Sequence, residues 1–487
     1  MKLREILKNI SITELRADPD TEISGVCYDS RLVRPGDLFV AIKGFEADGH
    51  RYIPMALQKG AAAVLCERLP AFPAPCARTE DARLGLALAS REFFGNPAGE
   101  MVVIGITGTS GKTTSSYLMK HLLESKLDAK VGLIGTNGNM IGDETLHTEH
   151  TTPESLELHR LFRQMADAGC THVVMEVSSH SLTLKRVAGI HFDAALFTNL
   201  SQDHLDFHGS MEEYAAAKRL LFSQCSVGCF NLDDARAGYM MEGAPCGKFT
   251  FSAESNSADL TAKDLRLSAS GVRFAAVYGN EIALTRLAIP GLFSVHNALG
   301  VMALGLSLGL SLQDCADAIG SAKGVKGRLE LVPTEEEFSV IIDYSHKPDA
   351  LENVLQTLRP VTRGRLICLF GCGGDRDRGK RPIMGAIAAD NSDLVIVTSD
   401  NPRTEDPDAI IAEICEGLKN RRTPSKVISD RPRAIAWAID KARPGDVILL
   451  AGKGHEDYQV VGHEKRHMDE REIVAECLAK RKAASGG

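Results

Sequence analysis

The chain has 487 residues, 44% hydrophobic and 25% charged, proportions of a soluble globular protein too long for one ordinary core. A formal net charge of -8 argues against a general nucleic-acid binder but permits a local basic cleft. No apolar run of signal-peptide kind opens the chain, and the most apolar stretch, 298–312, is too short to cross a bilayer and is broken by Gly300, Gly305 and Gly309, so a cytoplasmic protein with a buried helix there is expected.

At about 150 residues per domain, about three domains are expected. Patterning places them at 1–99, 100–328 and 329–487. The 12 cysteines include no Cys-x-x-Cys pair and read as reduced core or site-lining thiols.

Residues 1–99 alternate short strands and helices and close on Asn96-Pro97. The polar stretches 28–41 and 44–50 lie where apolar runs stop. Each alone reads as a capped turn rather than a binding site.

The second segment opens on an apolar run, Val102 to Thr107, that breaks into Gly108-Thr109-Ser110-Gly111-Lys112-Thr113-Thr114. This is the order strand, phosphate loop, helix. Gly108 and Gly111 permit backbone angles closed to other residues, so successive N–H groups can turn toward an oxyanion at a helix start. Lys112 would reach the outer phosphates and the Thr113 hydroxyl would ligate Mg²⁺. The strict pattern wants a glycine at Ile106, and here the glycine, Gly105, is one step early.

After a helix and the strand 130–135, His150-Thr151-Thr152-Pro153-Glu154 reads as a helix entry with Pro153 in the first turn and one threonine as cap. The strand 171–177 delivers Glu176-Val177-Ser178-Ser179-His180, and the strand 192–199 delivers Asn199 to Gly209, with Asp203, His204 and His208. Open α/β sheets place ligands at such strand ends. A carboxylate and a histidine there suit a divalent cation that carries phosphates. The helix 211–224 carries Lys218 among alanines, by itself a solvated lysine. Asn297, at the head of the glycine-interrupted helix, could cap it or bind a base edge.

Residues 324–328 read as a hinge. Beyond it strands and helices alternate, which implies a mostly parallel sheet. Its strands end in Asp343-Tyr344-Ser345-His346-Lys347-Pro348, in Gly371 to Pro382 with Arg376, in Asp400-Asn401-Pro402-Arg403, and in Gly452-Lys453-Gly454-His455-Glu456. Charges placed at strand ends between glycines and prolines favour a site over a solvated face.

Taken together and in this order, the motifs resemble those of the Mur ligase superfamily of ATP-dependent amide-bond ligases. The resemblance spans essentially the whole chain. It implies an α/β fold of three domains: an N-terminal one for a UDP-sugar, a central ATP-binding P-loop domain, and a C-terminal Rossmann-like one for an amino acid. The implied reaction adds meso-diaminopimelate to a UDP-linked muramoyl dipeptide through an acyl phosphate, with ATP and Mg²⁺ as cofactors.

By the same resemblance, Ser30, Thr151, Thr152, Ser178 and Arg186 match positions that hold the nucleotide-sugar peptide. Gly108 to Thr114, Asn297, Arg328 and Asp343 match positions that hold ATP. Lys218 matches a lysine that is carbamylated and joins Thr113, Glu176 and His204 around Mg²⁺. Lys112, Lys218, His204 and Glu176 thus form the implied catalytic set. Arg376, Asp400, Asn401, Pro402, Arg403, Gly452 and Glu456 match the amino-acid pocket, where Arg403 can pair with the distal carboxylate of diaminopimelate and Glu456 with an ammonium. Ser110, His150, Leu184, Ser345 and Lys347 depart from the family pattern. Small-molecule partners and a monomer are expected, with no nucleic acid and no membrane insertion. The rival readings are the same ligase using lysine, a folate polyglutamate ligase, and a nucleotide-regulated binding protein without ligation chemistry.

Overall fold

A computed structural model describes residues 1–44, 47–148 and 150–485. The chain divides into two compact units, Met1–Leu260 with Gly300–Cys315, and Thr261–Leu299 with Ala316–Gly487.

In the first unit, the N-terminal sheet has the order Ile12–Leu15, Cys76–Thr79, Ala63–Cys66, Asp37–Ala41, Gly25–Cys27, antiparallel only at its first pair. The helices Leu3–Leu7 and Ala82–Phe93 bury Leu3, Ile6 and Leu86 in one core with Leu38, Val40 and Leu65. Of the loop 44–50, Phe45 and Glu46 lie outside the described residues. Asp48 caps the 3₁₀ turn Gly49–Tyr52 by accepting from the His50 amide, the capped turn expected there.

The larger sheet of this unit carries six parallel strands in the order Gly247–Ser252, Cys225–Asn231, Phe192–Phe197, Val102–Thr107, His172–Glu176, Val131–Ile134. Strands buried on both faces need near-continuous apolar runs, which is how Val102–Thr107 reads. The chain leaves that strand for Val131–Ile134, fills the place between them with His172–Glu176, and then crosses to the other side. Glu176 pairs with Ile106 and Phe197 with Thr107, so the loops after all three strands leave the sheet side by side. This is the reversal of strand order at which open α/β sheets bind ligands.

The second unit contains the antiparallel pair Gly271–Tyr278 and Glu281–Leu287 and a six-stranded sheet. Its order is Glu330–Val332, Ser339–Asp343, Val447–Ala451, Leu366–Phe370, Leu394–Val397, Ser425–Val427, parallel except at the first pair. Asp343, Ala451, Phe370 and Val397 stand in register, which brings four polar loops to one edge. The core beneath them includes Val340, Leu369, Ile396 and Leu450.

Several local expectations change. The helix after the threonines is Ser155–Asp167, capped by the Glu154 side chain, with Pro153 ahead of the cap rather than in the first turn. Neither threonine caps it: Thr152 donates to the Glu176 carbonyl and Thr151 meets Thr136. Asn297 lies inside the helix Leu292–Ser307, so it is no cap. The expected single helix over 298–312 is two, Leu292–Ser307 and Leu312–Ser321, parted at Gly309 with φ +89°. Lys218 sits on Met211–Arg219, shorter than expected, and it is buried rather than solvated. All twelve cysteines are unpaired and ten are buried. No helix among the described residues is long and apolar enough to cross a membrane.

One buried group makes the stability of the first unit sensitive to acid. His159 is fully buried beside Phe162, and neither ring nitrogen has a hydrogen-bond partner among the described residues. Burial pushes its pKa down from 6.5 to about 3, so the unfolded chain takes up the proton first and stability is lost as pH falls from 6.5 toward 3. His159→Phe should raise stability at neutral pH by roughly 1 kcal/mol, because two unpaired polar atoms are removed. It should also flatten the acid limb of the stability profile. Urea unfolding at pH 7, 5.5 and 4.5 checks both, and an unchanged acid limb would refute the assignment.

Candidate active site

The loop after Val102–Thr107 is held by the neighbouring strand's loop. Thr109 N donates to Asn199 O at 2.9 Å and Ser110 N to Asn199 Oδ1 at 3.0 Å, while Ser110 O accepts from Thr198 Oγ1 at 2.7 Å. Gly108 has φ +148°, and a Cβ there would stand 1.8 Å from Thr198 Oγ1, so only glycine fits. Gly111, at φ +84°, turns the chain into the helix Lys112–Leu127, which starts three residues earlier than the apolar spacing alone implies. Lys112 Nζ folds back onto the carbonyls of Gly108 and Thr109, both at 2.9 Å. Thr114 is buried in the first turn.

Beside the loop lies a fully buried carboxylate. Glu176 Oε2 accepts from Thr113 Oγ1 and Thr136 Oγ1, both at 3.1 Å, and Oε1 accepts from Thr136 N at 3.0 Å. Thr113 and Glu176 thus present hard oxygen donors in contact with each other, the donor chemistry Mg²⁺ prefers. Lys218, 1% exposed, donates from Nζ to Gly108 O at 2.7 Å and lies 4.5 Å from the centre of the Tyr214 ring. Burial, with added repulsion from Lys112, holds its pKa well below the ordinary lysine range. His204, at φ +52°, packs its ring 4.8 Å from His180 and 6.3 Å from Tyr214. Burial and the two neighbouring imidazoles push His180 down to about 4, and burial lowers His208, so neutral rings pack here. Among the described residues no ready-made cluster of three His, Cys, Asp or Glu side chains could hold a metal. The expected ligand set is complete in type only if Lys218 becomes an acid.

A third group lies in the same unit. Thr152 Oγ1 donates to Glu176 O at 2.8 Å, Ser178 N donates to Thr152 Oγ1 at 3.2 Å, and Arg186 Nη1 donates to Thr152 O at 3.0 Å. The Ser178 hydroxyl caps the short helix Ser179–Thr183, and Leu184 is its C-cap. Ser30 is buried in the N-terminal part, and no hydrogen bond joins it to this group among the described residues.

In the second unit, Asp343 accepts from Leu329 N at 2.8 Å and from the Ser345 hydroxyl, and burial raises its pKa. The Arg328 guanidinium lies 5.4 Å from the centre of the Tyr344 ring, which packs 4.8 Å from His455. A cavity of about 750 Å³ opens at the same sheet edge, and its walls include Arg376, Asp400, Asn401, Arg403, Gly452 and Glu456. All the expected amino-acid residues except Pro402 therefore share one cavity. Lys347 lines it too, so the added cation faces this cavity. Arg403, at φ +51°, donates from Nη1 to Gly374 O at 2.9 Å, while its Nε and Nη2 have no partner among the described residues.

Three family models match successive stretches: the Mur ligase family catalytic domain at 22–80, the Mur ligase middle domain at 106–305, and the Mur ligase glutamate ligase domain at 327–454. A UDP-N-acetylmuramoyl-L-alanyl-D-glutamate--2,6-diaminopimelate ligase of Caldanaerobacter subterraneus subsp. tengcongensis is 47% identical over 98% of this chain and 99% of its own length. The chain belongs to the Mur ligase family. A protein of the same description from Clostridioides difficile is 41% identical over 99% of this chain and all of its own. A solved structure so described matches with a TM-score of 0.77 at 33% identity, covering 99% of both chains. A MurF ligase from Thermotoga maritima in complex with ADP, at 21% identity and a TM-score of 0.58, shares the fold.

Around the cavity of this Mur ligase stand residues that sequence reasoning missed. A hairpin, Tyr458–Val461 with Glu464–His467, straps the Asp400 to Arg403 run. Gln459 Nε2 donates to Asp400 O at 2.6 Å, Arg403 N to Val460 O at 3.1 Å, and Gly462 N to Arg403 O at 2.7 Å. Arg431, fully buried, binds Glu470 at 2.8 Å, and fully buried Arg381 binds Glu405 and Glu413. The only signals in the chain were the turn glycine Gly462 and arginines next to prolines.

The loop geometry yields a direct test. Gly108→Ala should leave the far-UV spectrum unchanged and weaken nucleoside triphosphate binding at least tenfold in calorimetry, because the added methyl collides with Thr198. Binding within twofold of the parent would show that the loop does not cradle phosphate.

Proposed function

We propose that this protein is an ATP-dependent acid–amino-acid ligase that joins meso-2,6-diaminopimelate to UDP-N-acetylmuramoyl-L-alanyl-D-glutamate, making the UDP-linked tripeptide of peptidoglycan precursor synthesis. The relatives described above support the reaction class. The observation that carries the choice of amino acid is the cavity whose wall presents Arg403, with Nε and Nη2 unengaged among the described residues, together with Glu456. A distal end bearing both a carboxylate and an ammonium satisfies both residues. Lysine has no distal carboxylate and would leave the guanidinium unpaired.

In the first step a glutamate carboxylate oxygen attacks the γ-phosphorus of ATP, giving an acyl phosphate and ADP. In the second, the amine of diaminopimelate attacks the acyl carbon, and the tetrahedral intermediate expels phosphate. The loop amides from Gly108 to Thr114 orient the phosphates, and Lys112 exchanges its loop carbonyls for phosphate oxygens, where its charge offsets the repulsion between two anions. Mg²⁺, when bound, would neutralise phosphate charge while held by Thr113, Glu176, His204 and a carbamylated Lys218. An uncharged Lys218 amine adds to CO₂ and releases one proton, converting a donor into a carboxylate-like acceptor. Its burial and depressed pKa favour the reactive form.

Thr151, Thr152, Ser178 and Arg186 hold the peptide end of the UDP-sugar substrate in this reading, and Ser30 contacts its nucleotide-sugar part. The domains then run 1–99, 100–328 and 329–487, in a cytoplasmic monomer.

Phosphate release from the purified protein with ATP, Mg²⁺ and the UDP-linked dipeptide should depend on diaminopimelate, with lysine at least tenfold poorer in kcat/KM. Equal turnover with lysine would defeat the specificity, and release indifferent to any amino acid would defeat the ligase.

Lys218→Ala should lose at least a hundredfold in kcat and regain part of it with millimolar acetate or propionate, which replace the missing carboxylate. Absence of rescue by any short acid would leave the ligand role without support.

A further inference from the structure

One basic side chain behind the amino-acid cavity is not part of its surface. Lys453 follows the strand Val447–Ala451, between Gly452 and Gly454, and its side chain is completely buried. Its Nζ donates to Asn401 Oδ1 at 2.8 Å and to Glu456 Oε2 at 2.9 Å, and it lies 5.5 Å from the centre of the Tyr458 ring. Asn401 Nδ2 donates to the same Glu456 Oε2 at 2.9 Å, and Val460 N to Asn401 Oδ1 at 2.9 Å. The three side chains close a ring in which Glu456 Oε2 is fully engaged and Oε1 accepts nothing among the described residues. Lys453 therefore fixes which oxygen of Glu456 a substrate meets and how Asn401 is turned.

It also sets the charge of the pocket. Four basic and four acidic side chains line the cavity, so its walls are formally neutral. Lys453 adds one positive charge out of reach of solvent. An amino acid with two carboxylates and two amines carries a net negative charge once its attacking amine has lost a proton, whereas lysine in the same form is neutral and brings its unpaired distal ammonium toward the buried cation. At low effective dielectric that difference acts on affinity directly.

We propose that Lys453 is a positioning and charge-setting residue that makes this pocket prefer an amino acid with a distal carboxylate and ammonium over one with a distal ammonium alone. This rests on the ligase reading given above and extends it to a residue that touches no substrate.

The test compares the parent protein with Lys453→Met, Lys453→Gln and Lys453→Arg, measuring kcat and KM for meso-diaminopimelate, lysine and ATP, with thermal melting as the control for folding. In Lys453→Met the KM for diaminopimelate should rise at least tenfold and that for lysine less than threefold, with the KM for ATP within twofold of the parent. Lys453→Arg should keep the parent preference within threefold. If Lys453→Met does not fold, Lys453→Gln, which is neutral but still a donor, must show the same fall in preference. Equal losses on both amino acids, or a parallel rise in the KM for ATP, would reduce Lys453 to a structural ion pair and overturn the proposal. A parent enzyme that no amino acid stimulates would overturn the ligase reading and this one with it.

Discussion

The buried carboxylate of Glu176 is the node on which the first unit's site depends. It ends one strand, receives the Thr113 hydroxyl from the helix after the phosphate loop, and receives both the amide and the hydroxyl of Thr136 from beyond the next strand. A carboxylate without water must have its oxygens satisfied. Three donors from two other strand ends meet that demand only if the strands stop in register, as the pairing of Glu176 with Ile106 ensures. Thr152, hydrogen-bonded to the backbone carbonyl of the same residue, carries the arrangement on to Ser178 and Arg186. The glycine-rich loop's helix, the buried carboxylate and Thr152 are therefore positioned by one residue's two ends, its side chain and its carbonyl.

The second unit solves a related problem with cations. Acids stand near its strand ends, where like charges would repel, and three buried basic groups back some of them. Arg431 spans Glu470, the Ala451 carbonyl and the neighbourhood of Asp400, and Arg381 draws Glu405 and Glu413 to the Gly373 loop. Lys453 does the same for Glu456. Buried ion pairs contribute little net stability against apolar substitutes, but removing one partner leaves a desolvated charge behind. Such pairs therefore hold geometry more than they hold the fold, which is what a pocket that must present carboxylates at set angles requires.

The sequence made the sheet legible because parallel strands buried on both faces must be continuous apolar runs, and polar residues at their ends must lie at one edge. Hence the acids and arginines that line the second unit's cavity are already grouped in the sequence at strand ends. Less legible were features set by tertiary contact. Pro153 beside an acidic residue fits a first turn or the residue ahead of the cap equally well, and the Glu154 side chain decides between them. Asn297 sits where propensity favours a helix start, but Leu292 and its neighbours already lie in the helix. Lys218 among alanines reads as a surface lysine by composition alone, since nothing local shows that Tyr214 and the Gly108 carbonyl enclose it. Lys453 is illegible for the opposite reason: glycines on both sides mark its loop as a site, while the lysine itself is buried and is not part of the cavity's lining.

The two buried lysines show how burial assigns opposite roles to one residue type. Lys218 has a carbonyl acceptor, an aromatic face and a repelling neighbour in Lys112, and no carboxylate within hydrogen-bond distance among the described residues, so its environment favours the uncharged amine and with it nucleophilic chemistry. Lys453 has a carboxylate at 2.9 Å and an amide oxygen at 2.8 Å, the partners suited to an ammonium. Desolvation penalises both ammonium groups, and only the second has an anion to offset it. The partner, not the depth, therefore decides whether a buried lysine in this fold is available to react or is held as a fixed charge.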